Sequence, residues 1–231
     1  MHATAIVLAA GQGRRIGGET AKAFLPIAGR PLLLHVLDRV FSARLVADAI
    51  VVVAANELER SRSLLAADAA LRDRRWRLAA GGASRQESAR RGLRRLVPEA
   101  DIVLIHDAAR PFASPALIDR SIETAVEKGA VVVGLAARDT IKVVSRERQV
   151  QSTLERGSLW EIQTPQAFRR ELIVRAHDQA KRNGVEATDD ATLVERIGTP
   201  VHVIEGERCN FKITLPEDLW LAELLIRERR V

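Results

Sequence analysis

The chain lacks several features that mark common classes of protein. Its single cysteine, Cys209, excludes an internal disulfide and any metal site built from a cysteine cluster. No apolar run approaches the roughly 20 residues of a membrane-spanning helix. The start of the chain has neither the charged region nor the cleavage site of a signal peptide. We therefore expect a cytoplasmic protein with no membrane partner.

Aromatic residues are scarce as well. They make up 3% of the 231 residues, and tyrosine is absent. The formal net charge is +6, but the arginines are spread among glutamates and alanines, with no basic block and no interleaved aromatic residues. This pattern is typical of a solvated, arginine-rich surface, and we do not expect a nucleic acid as partner.

Lysine is rare in this chain, so the usual cation is arginine. Two of the few lysines, Lys22 and Lys212, lie in sequences typical of loops at a binding site. A compact ammonium on a flexible stem suits a phosphate group. These two lysines are therefore candidates for phosphate contacts.

Apolar runs alternate with helical periodicity along most of the chain, which favours an α/β fold. The predicted strands are Ala5–Ala10, Ala49–Ala54, Trp76–Ala80, Ile102–His106 and Ala130–Leu135. The predicted helices between them are Pro31–Phe41, Glu57–Ala67, Ser84–Leu96 and Pro115–Lys128. We expect one Rossmann-like domain over residues 1–231, with a mostly parallel, twisted sheet covered by helices on both faces.

The alternation stops after Gly134. Two short β-like runs, Thr140–Val144 and Gln149–Leu154, predict a hairpin within residues 138–156, here called the β-arm. Such an arm either packs on a second subunit or is a surface hairpin of a monomer, and the sequence leaves both open. The remaining predicted elements are helices Arg169–Asn183, Asp189–Ile197 and Pro216–Arg229, and strand Pro200–Ile204.

The loop after the first predicted strand has the composition of a phosphate site. It reads Ala9-Ala-Gly-x-Gly-Arg-Arg15, with Lys22 following. Small residues let an anion approach backbone N–H groups, and the cations neutralise it. The P-loop pattern is absent, and the dinucleotide pattern fails because Ile16 stands where the third glycine belongs.

Other candidate residues follow the third and fourth predicted strands. Asp107 either holds Mg²⁺ or a ribose hydroxyl or caps a turn, and Arg110 lies close by in sequence. The Gly81-Gly82 pair before Ser84 either contacts a base or sugar or only precedes a helix N-terminus. His106 is interpreted as structural. Since the carboxyl ends of parallel strands share one edge of a sheet, we expect these residues to converge.

The acids at Asp189 and Asp190 follow Thr188 and precede an apolar helix. This pattern is typical of an N-cap with acidic residues in the first helical turn. The alternative is that these acids reach the site.

Motifs along nearly the whole chain resemble the 2-C-methyl-D-erythritol 4-phosphate cytidylyltransferases of the non-mevalonate isoprenoid pathway. The opening loop alone is common to many sugar-nucleotide transferases, whereas the later motifs narrow the resemblance. These later motifs are Gly81-Gly-x-x-Arg-Gln86, His106-Asp-Ala-Ala-Arg-Pro111, Arg138-Asp-Thr-Ile-Lys142, Thr164-Pro-Gln166, Thr188-Asp-Asp190 and Asn210-Phe-Lys-Ile-Thr214.

The resemblance implies a Mg²⁺-dependent transfer of CMP from CTP to 2-C-methyl-D-erythritol 4-phosphate, with release of pyrophosphate, by a homodimer joined through the β-arm. It implies that Arg15 and Lys22 stabilise the transition state and that Arg156 and Lys212 position the acceptor phosphate. The residues implied to bind substrate are Ala9, Ala10, Gly11, Gly13, Gly82, Ala83, Ser88, Asp107, Ala108, Arg110, Thr140 and Thr164. Asp107 is also the candidate metal ligand.

Two other functions stay open at this point. One is a cytidylyltransferase for ribitol 5-phosphate, which uses the same chemistry on a different acceptor. The other is a non-catalytic nucleotide-binding module. Retention of all four candidate cations and of Asp107 disfavours the second.

Overall fold

A computed structural model describes residues 1–11, 21–228 and 230. The predicted site residues Gly13 and Arg15 lie outside the described residues. The strands are β1 (Ala3–Leu8), β2 (Pro26–Ile27), β3 (Arg30–Pro31), β4 (Val46–Val53), β5 (Trp76–Ala80), β6 (Ile102–Asp107), β7 (Ala130–Ala136), β8 (Lys142–Val144), β9 (Val150–Thr153), β10 (Trp160–Arg169) and β11 (His202–Glu205). The α-helices are α1 (Leu32–Ser42), α2 (Leu58–Ala67), α3 (Arg85–Leu93), α4 (Pro115–Lys128), α5 (Arg170–Arg182), α6 (Asp190–Arg196) and α7 (Pro216–Arg227).

The main sheet has seven strands in the order β11-β7-β10-β6-β1-β4-β5. Strand β10 is antiparallel to both of its neighbours, and the other ladders of the sheet are parallel. The prediction of an α/β fold with a mostly parallel sheet is therefore confirmed.

Apolar side chains on both faces of the central strands explain this architecture. On β1, Ala5 and Val7 belong to one buried cluster, which also includes side chains of α1 and α4. Ile6 points to the opposite face and packs in a second cluster with side chains of α3 and α5. A strand buried on both faces needs a continuous apolar run, as Ala5–Leu8 provides.

Strand β10 was missed in the sequence. The sequence analysis assigns no element to this segment and predicts a helix from Arg169, whereas the strand runs from Trp160 through Pro165 to Arg169 and α5 starts at Arg170. Its polar residues Gln163, Thr164 and Gln166 are buried, so neither an apolar run nor a clean alternation marks it.

Other boundaries moved by a few residues. Strand β1 ends at Leu8, so Ala9 and Ala10 belong to the following loop. Ser84 and Asp189, predicted as the first residues of helices, are the N-caps of α3 and α6. Pro31 ends β3 and directly precedes α1.

Strands β8 and β9 form a separate antiparallel pair within the β-arm. Every residue of both strands is exposed in the single chain. None of the described helices is long and apolar enough to cross a bilayer.

Candidate active site

A pocket of about 620 Å³ lies at the carboxyl ends of β1, β5 and β6. The sheet edge thus brings together residues that are far apart in the sequence, as the strand-end argument predicted. Predicted site residues that line it are Ala9, Ala10, Gly11, Lys22, Gly82, Ala83, Ser88, Asp107, Ala108 and Lys212. Leu8, Ala23, Leu32, Ser84, Arg85, Ala109 and Thr214 complete the lining.

Two loops form a wall of small residues. The N–H of Ala9 donates to the carbonyl oxygen of Val52, and the N–H of Gly81 donates to that of Val53, both at 2.7 Å. A Cβ on Gly81 would lie 2.4 Å from the Cβ of Ala10, closer than packing allows. Glycine at position 81 is therefore required for the loops after β1 and β5 to lie against each other.

Ser84 and Ser88 shape the second of these loops. Ser84 Oγ accepts from the N–H of Glu87, which caps α3 as predicted. Ser88 Oγ donates to the carbonyl oxygen of Ser84 at 2.9 Å and accepts from the N–H of Gly82 at 3.0 Å. The Gly82 N–H is thus already hydrogen-bonded inside the loop, and Ser88 holds the backbone of the wall in place.

Asp107 is at the centre of a chain of alternating charges. Lys212 Nζ lies 2.6 Å from Asp107 Oδ2, and Arg85 Nε lies 3.0 Å from Asp107 Oδ1. The other end of the Arg85 guanidinium contacts Asp190 Oδ2 at 2.6 Å, and Asp190 Oδ1 accepts from His177 Nε2 at 2.9 Å. We call these five residues the ion network.

The ion network keeps its carboxylates charged despite burial. Burial alone would raise the pKa of Asp107, but Arg85 and Lys212 outweigh it and hold that pKa well below its usual range. Burial is likewise outweighed at Asp190, where Arg85 and His177 lower the pKa of the carboxyl group. For Arg85, the attraction of both carboxylates overcomes burial and raises the pKa above its ordinary value. The pocket therefore contains fixed charges at neutral pH.

The two acids before the apolar helix have different roles. Asp189 Oδ1 accepts from the N–H of Thr192 at 2.9 Å, so Asp189 is the N-cap of α6. Asp190 is the acid of the first helical turn, as the capping pattern predicts. It is also fully buried and contacts Arg85, which lines the pocket, although Asp190 itself is not among the described residues that line it.

His106 and Thr164 form a hydrogen-bonded chain that ends at the backbone N–H of Asp107. His106 Nε2 lies 2.9 Å from the carbonyl oxygen of Arg110, which can only accept, so Nε2 carries the proton. Thr164 Oγ1 then donates to His106 Nδ1 and accepts from the N–H of Asp107. Burial lowers the pKa of His106 to about 4. The neutral imidazole fits the structural role predicted for it.

Arg110 and Asn210 position the segment that carries Lys212. Arg110 Nη1 donates to the carbonyl oxygen of Asn210 at 2.7 Å, and Asn210 Nδ2 donates to Thr164 O at 2.8 Å. The N–H of Ile213 donates to Ala109 O at 2.8 Å. Burial lowers the pKa of Arg110, with Asp107 opposing the shift. Neither Arg110 nor Thr164 lines the pocket itself, but both contact groups that do.

Lys22 enters the pocket from a short 3₁₀ helix, Lys22–Phe24. Burial would raise the pKa of Asp218 in α7, but N–H groups of Thr214 and Leu215 lower it and the charge of Lys22 adds to that effect. Since Thr214 also lines the pocket, the start of α7 lies at its rim on the side of Lys22.

The β-arm residues of the predicted site lie elsewhere in the single chain. Thr140 and Arg156 are exposed, and neither is among the described residues that line the pocket. Arg156 Nη1 donates to the carbonyl oxygen of Arg138 at 2.7 Å, which ties it to the base of the β-arm. The structure therefore divides the predicted site into a pocket and an arm.

Two members of the ion network had no functional role in the sequence-based prediction. Arg85 appeared only as part of a motif, and His177 was not singled out. The ion pairs Arg85–Asp190 and Asp107–Lys212 each join residues 105 positions apart, so no local spacing reveals them.

The comparisons with known proteins agree with this geometry. Residues 3–228 match the family model described as "IspD: 2-C-methyl-D-erythritol 4-phosphate cytidylyltransferase". Proteins of that name from Geobacillus kaustophilus and Pelotomaculum thermopropionicum are 45% and 41% identical, covering 99% and 98% of this chain and 99% and 94% of their own.

Solved structures give the same result. A 4-diphosphocytidyl-2C-methyl-D-erythritol synthase from Anaerococcus prevotii superposes with a TM-score of 0.85 at 31% identity, covering 97% of this chain and 98% of its own. The cytidylyltransferase of the same family from Thermus thermophilus gives 0.78 at 36% identity, with 96% and 98% covered. The chain belongs to the 2-C-methyl-D-erythritol 4-phosphate cytidylyltransferase (IspD) family.

Proposed function

We propose that this chain transfers the cytidylyl group of CTP to the phosphate of 2-C-methyl-D-erythritol 4-phosphate and releases pyrophosphate. One observation carries the proposal: a single pocket at the carboxyl edge of the sheet unites Lys22, Lys212 and Asp107 with walls of small residues. Its volume of about 620 Å³ is in the range of small-molecule sites. Family membership selects the reaction among those that such a pocket supports.

The reaction is a substitution at phosphorus. An oxygen of the acceptor's phosphate attacks the α-phosphorus of CTP, and the bond from that phosphorus to the bridging oxygen of the β-phosphate breaks. The electron pair leaves with pyrophosphate. Both reactants are anions, so the protein must hold them together and neutralise charge that builds up at the α-phosphate.

The cations divide this work. Lys22, with Arg15 of the opening loop, stabilises the extra negative charge at the α-phosphate in the transition state. Lys212 binds the acceptor phosphate, and its contact with Asp107 fixes its position before the substrate arrives. Arg85 holds the other oxygen of Asp107 and so keeps that carboxylate oriented.

Mg²⁺ is part of the same proposal. Among the described residues no cluster of three His, Cys, Asp or Glu side chains forms a metal site, and both oxygens of Asp107 already contact cations. The residues present fit a Mg²⁺ ion held chiefly by the triphosphate of CTP, with Asp107 as the one carboxylate among the described residues that line the pocket. Bound there, the ion would neutralise phosphate charge.

We also propose that two copies associate through the β-arm, which brings Thr140 and Arg156 to the partner's pocket. The arm exposes apolar side chains that a second copy would cover, among them Val144 at 49% and Val150 at 61% exposure. Exposed apolar strands are a liability that pairing removes. Sedimentation tests the association, and we expect a dimer; a fully active monomer would exclude the shared site.

The decisive experiment measures pyrophosphate release from CTP with each acceptor in turn. We expect rapid release with 2-C-methyl-D-erythritol 4-phosphate and at least a hundredfold lower kcat/KM with ribitol 5-phosphate, which is about 2.7 kcal/mol of discrimination. A preference for ribitol 5-phosphate would replace the proposed acceptor. Binding of CTP without release for any acceptor would favour the non-catalytic module. The cytoplasmic location expected from the sequence is tested by cell fractionation.

A further inference from the structure

A second groove lies at the opposite edge of the sheet from the active site. It has a volume of about 1310 Å³ and runs between α5 and the segment from the end of α3 to the start of β6. Its lining contains six arginines and three acids, Asp101, Glu171 and Asp178. The arginines are Arg90, Arg94, Arg169, Arg170, Arg175 and Arg182. The proposed cytidylyl transfer uses none of them.

Most of these arginines lack a carboxylate partner. Only Arg90 pairs with one, Glu87, within the part of the chain that the structure describes. Arg169 donates to the carbonyl oxygen of Val126, and Arg170 donates to those of Val97 and Pro98. These carbonyl contacts orient the guanidinium groups without neutralising them. Five arginines without a carboxylate partner and three acids therefore face one groove, which leaves it with a net positive charge that attracts anions.

The groove also has an apolar floor. Leu93 and Ile102 are buried beneath it, and Leu96 and Val174 are half-buried. All four line the groove. A purely inorganic anion would leave the exposed parts of Leu96 and Val174 without a contact, whereas a ligand with an apolar chain covers them.

His177 supplies an unused hydrogen-bonding group in the same wall. Its ring is 1% exposed and lines the groove. Nε2 is engaged by Asp190, while Nδ1 is buried and has no hydrogen-bond partner among the described residues. Buried polar atoms without partners are uncommon in folded proteins and mark places where a ligand or water completes the structure.

We propose that this groove is a second ligand site, for a small phosphate ester that carries an apolar chain. The arginines hold the phosphate and the floor holds the chain. His177 Nδ1 accepts a hydrogen bond from the P–OH of the monoanionic ester, because Nε2 carries the proton of the ring. Arginine is well suited to this because its guanidinium binds phosphate oxygens in pairs. In the nucleotide pocket, in contrast, Arg85 and Lys212 are paired with the carboxylate of Asp107.

The test uses hexyl phosphate as probe, in titration calorimetry of the protein saturated with CTP so that the nucleotide pocket is occupied. CTP leaves the acceptor-phosphate site at Lys212 open, so the Lys212→Ala variant is titrated alongside. We expect saturable binding of hexyl phosphate, and binding of inorganic phosphate and of hexanol at least tenfold weaker than that. Equal binding of inorganic phosphate would remove the role of the floor. No binding of hexyl phosphate would overturn the proposal.

Variants locate the binding site. The double variant Arg175→Glu, Arg182→Glu should weaken hexyl phosphate binding at least tenfold. Both arginines are exposed at the rim of the groove, and the two substitutions reverse its charge there. The matched control is Arg72→Glu, another exposed arginine, which lies outside the groove; we expect a less than twofold change. Thermal unfolding and CMP transfer without probe should be unchanged in all of them. Loss of binding in Lys212→Ala together with retention in the groove variants would assign the probe to the active site and overturn the proposal.

A final experiment distinguishes a soluble ligand from a membrane surface. Vesicles of phosphatidylglycerol present the same phosphate chemistry on a surface, and vesicles of phosphatidylcholine are the neutral control. We expect no co-sedimentation with either, because the ligand must enter a groove. Binding to the anionic vesicles without binding of hexyl phosphate would contradict a small-molecule site.

Discussion

The pocket and the β-arm differ in how firmly their side chains are held. In the pocket, Asp107 contacts Arg85 and Lys212, and Asp190 behind it is fully buried. In the β-arm every residue of β8 and β9 is exposed, and Arg156 has a backbone carbonyl as its hydrogen-bond partner. The charged side chains of the pocket are thus held in place within one chain, whereas the β-arm exposes an apolar and cationic surface.

If the proposed function is correct, this difference means that one chain binds nucleotide before the acceptor site is complete. The loops that line the pocket are fixed to the sheet by backbone hydrogen bonds. In the proposed dimer, contacts from Thr140 and Arg156 require the β-arm to meet the partner's pocket. Changes in the β-arm should therefore affect acceptor use and assembly, and changes in the ion network should affect stability and turnover.

Removing the β-arm should have the largest effect. Leu154 N donates to Ile141 O at 3.0 Å, so a short glycine linker can replace residues 142–153 without separating the ends. We expect a folded monomer that binds CTP with less than threefold change and loses more than a hundredfold in CMP transfer, because one acceptor cation is no longer delivered. Sedimentation, CTP calorimetry and pyrophosphate release measure these outcomes. Full activity in the shortened chain would end the idea of a shared site.

Lys22→Ala tests the pocket side of the comparison. Because Lys22 is assigned to the transition state, its removal should lower kcat on the order of a hundredfold and change KM for CTP little. Arg15→Ala should do the same. Lys181→Ala, an exposed lysine of α5, is the matched control and should keep normal kcat. Near-normal turnover of Lys22→Ala would show that its assignment is wrong.

Lys212→Ala, in the pocket, and Arg156→Ala, in the β-arm, should both weaken use of the acceptor. Each removes one cation from the acceptor phosphate, so we expect KM for the acceptor to rise roughly tenfold to a hundredfold. CTP affinity should stay within a fewfold in both. A mixture of the two variants that has exchanged into mixed dimers should regain part of the activity if Arg156 serves the partner's pocket, since one of the two pockets of a mixed dimer then contains both cations. No regain, with mixed dimers present, would place both groups in one chain.

Asp190→Asn tests how far the stability and turnover of the protein depend on the buried charge of the ion network. Removing one partner of a buried ion pair leaves Arg85 and His177 without their carboxylate, which should lower the free energy of unfolding by about 3 kcal/mol. Turnover should fall as well, because Arg85 no longer holds Asp107. Asp189→Asn is the matched control, since asparagine caps a helix nearly as well as aspartate. Denaturant unfolding measures the loss of stability and steady-state kinetics the loss of turnover. Equal effects of the two variants would contradict the stabilising role of the ion network.

The sequence predicted the parts of this molecule that depend on local pattern. Strands β1, β4 and β6 are buried on both faces and have continuous apolar runs, so their existence and parallel arrangement could be inferred. Asp107 was found because polar residues after buried strands lie at one edge of the sheet, and Lys212 because lysine is rare in this chain and suits a phosphate group. Strand β10 could not be predicted because its buried polar residues form hydrogen bonds with residues far away in the sequence. Gln163 accepts from Asn210, 47 positions away, and Thr164 accepts from the N–H of Asp107, 57 positions away.

The ion network could not be predicted for the same reason. An acid before a helix has an ordinary explanation as a cap, and Asp189 has that role. Only the folded chain shows that Asp190, its neighbour, meets Arg85 from a different helix. Sequence patterns identify residues that stand at strand ends, whereas pairing between them depends on the packing of α3, α5 and α6.

The smallest expected effect concerns the neutral imidazole behind Asp107. The folded pKa of His106 is about 4, below the unfolded value of 6.5. The unfolded chain therefore binds the proton first, and stability falls as pH drops from 6.5 towards 4. Between pH 6.5 and 5 this group should cost about 2 kcal/mol. The window lies above the unfolded pKa of Asp107 and Asp190, so those carboxylates contribute little there. His106→Gln retains hydrogen bonding without titrating, and its denaturant-unfolding free energy should vary less with pH. An identical pH dependence in both proteins would show that His106 is protonated in the folded pocket.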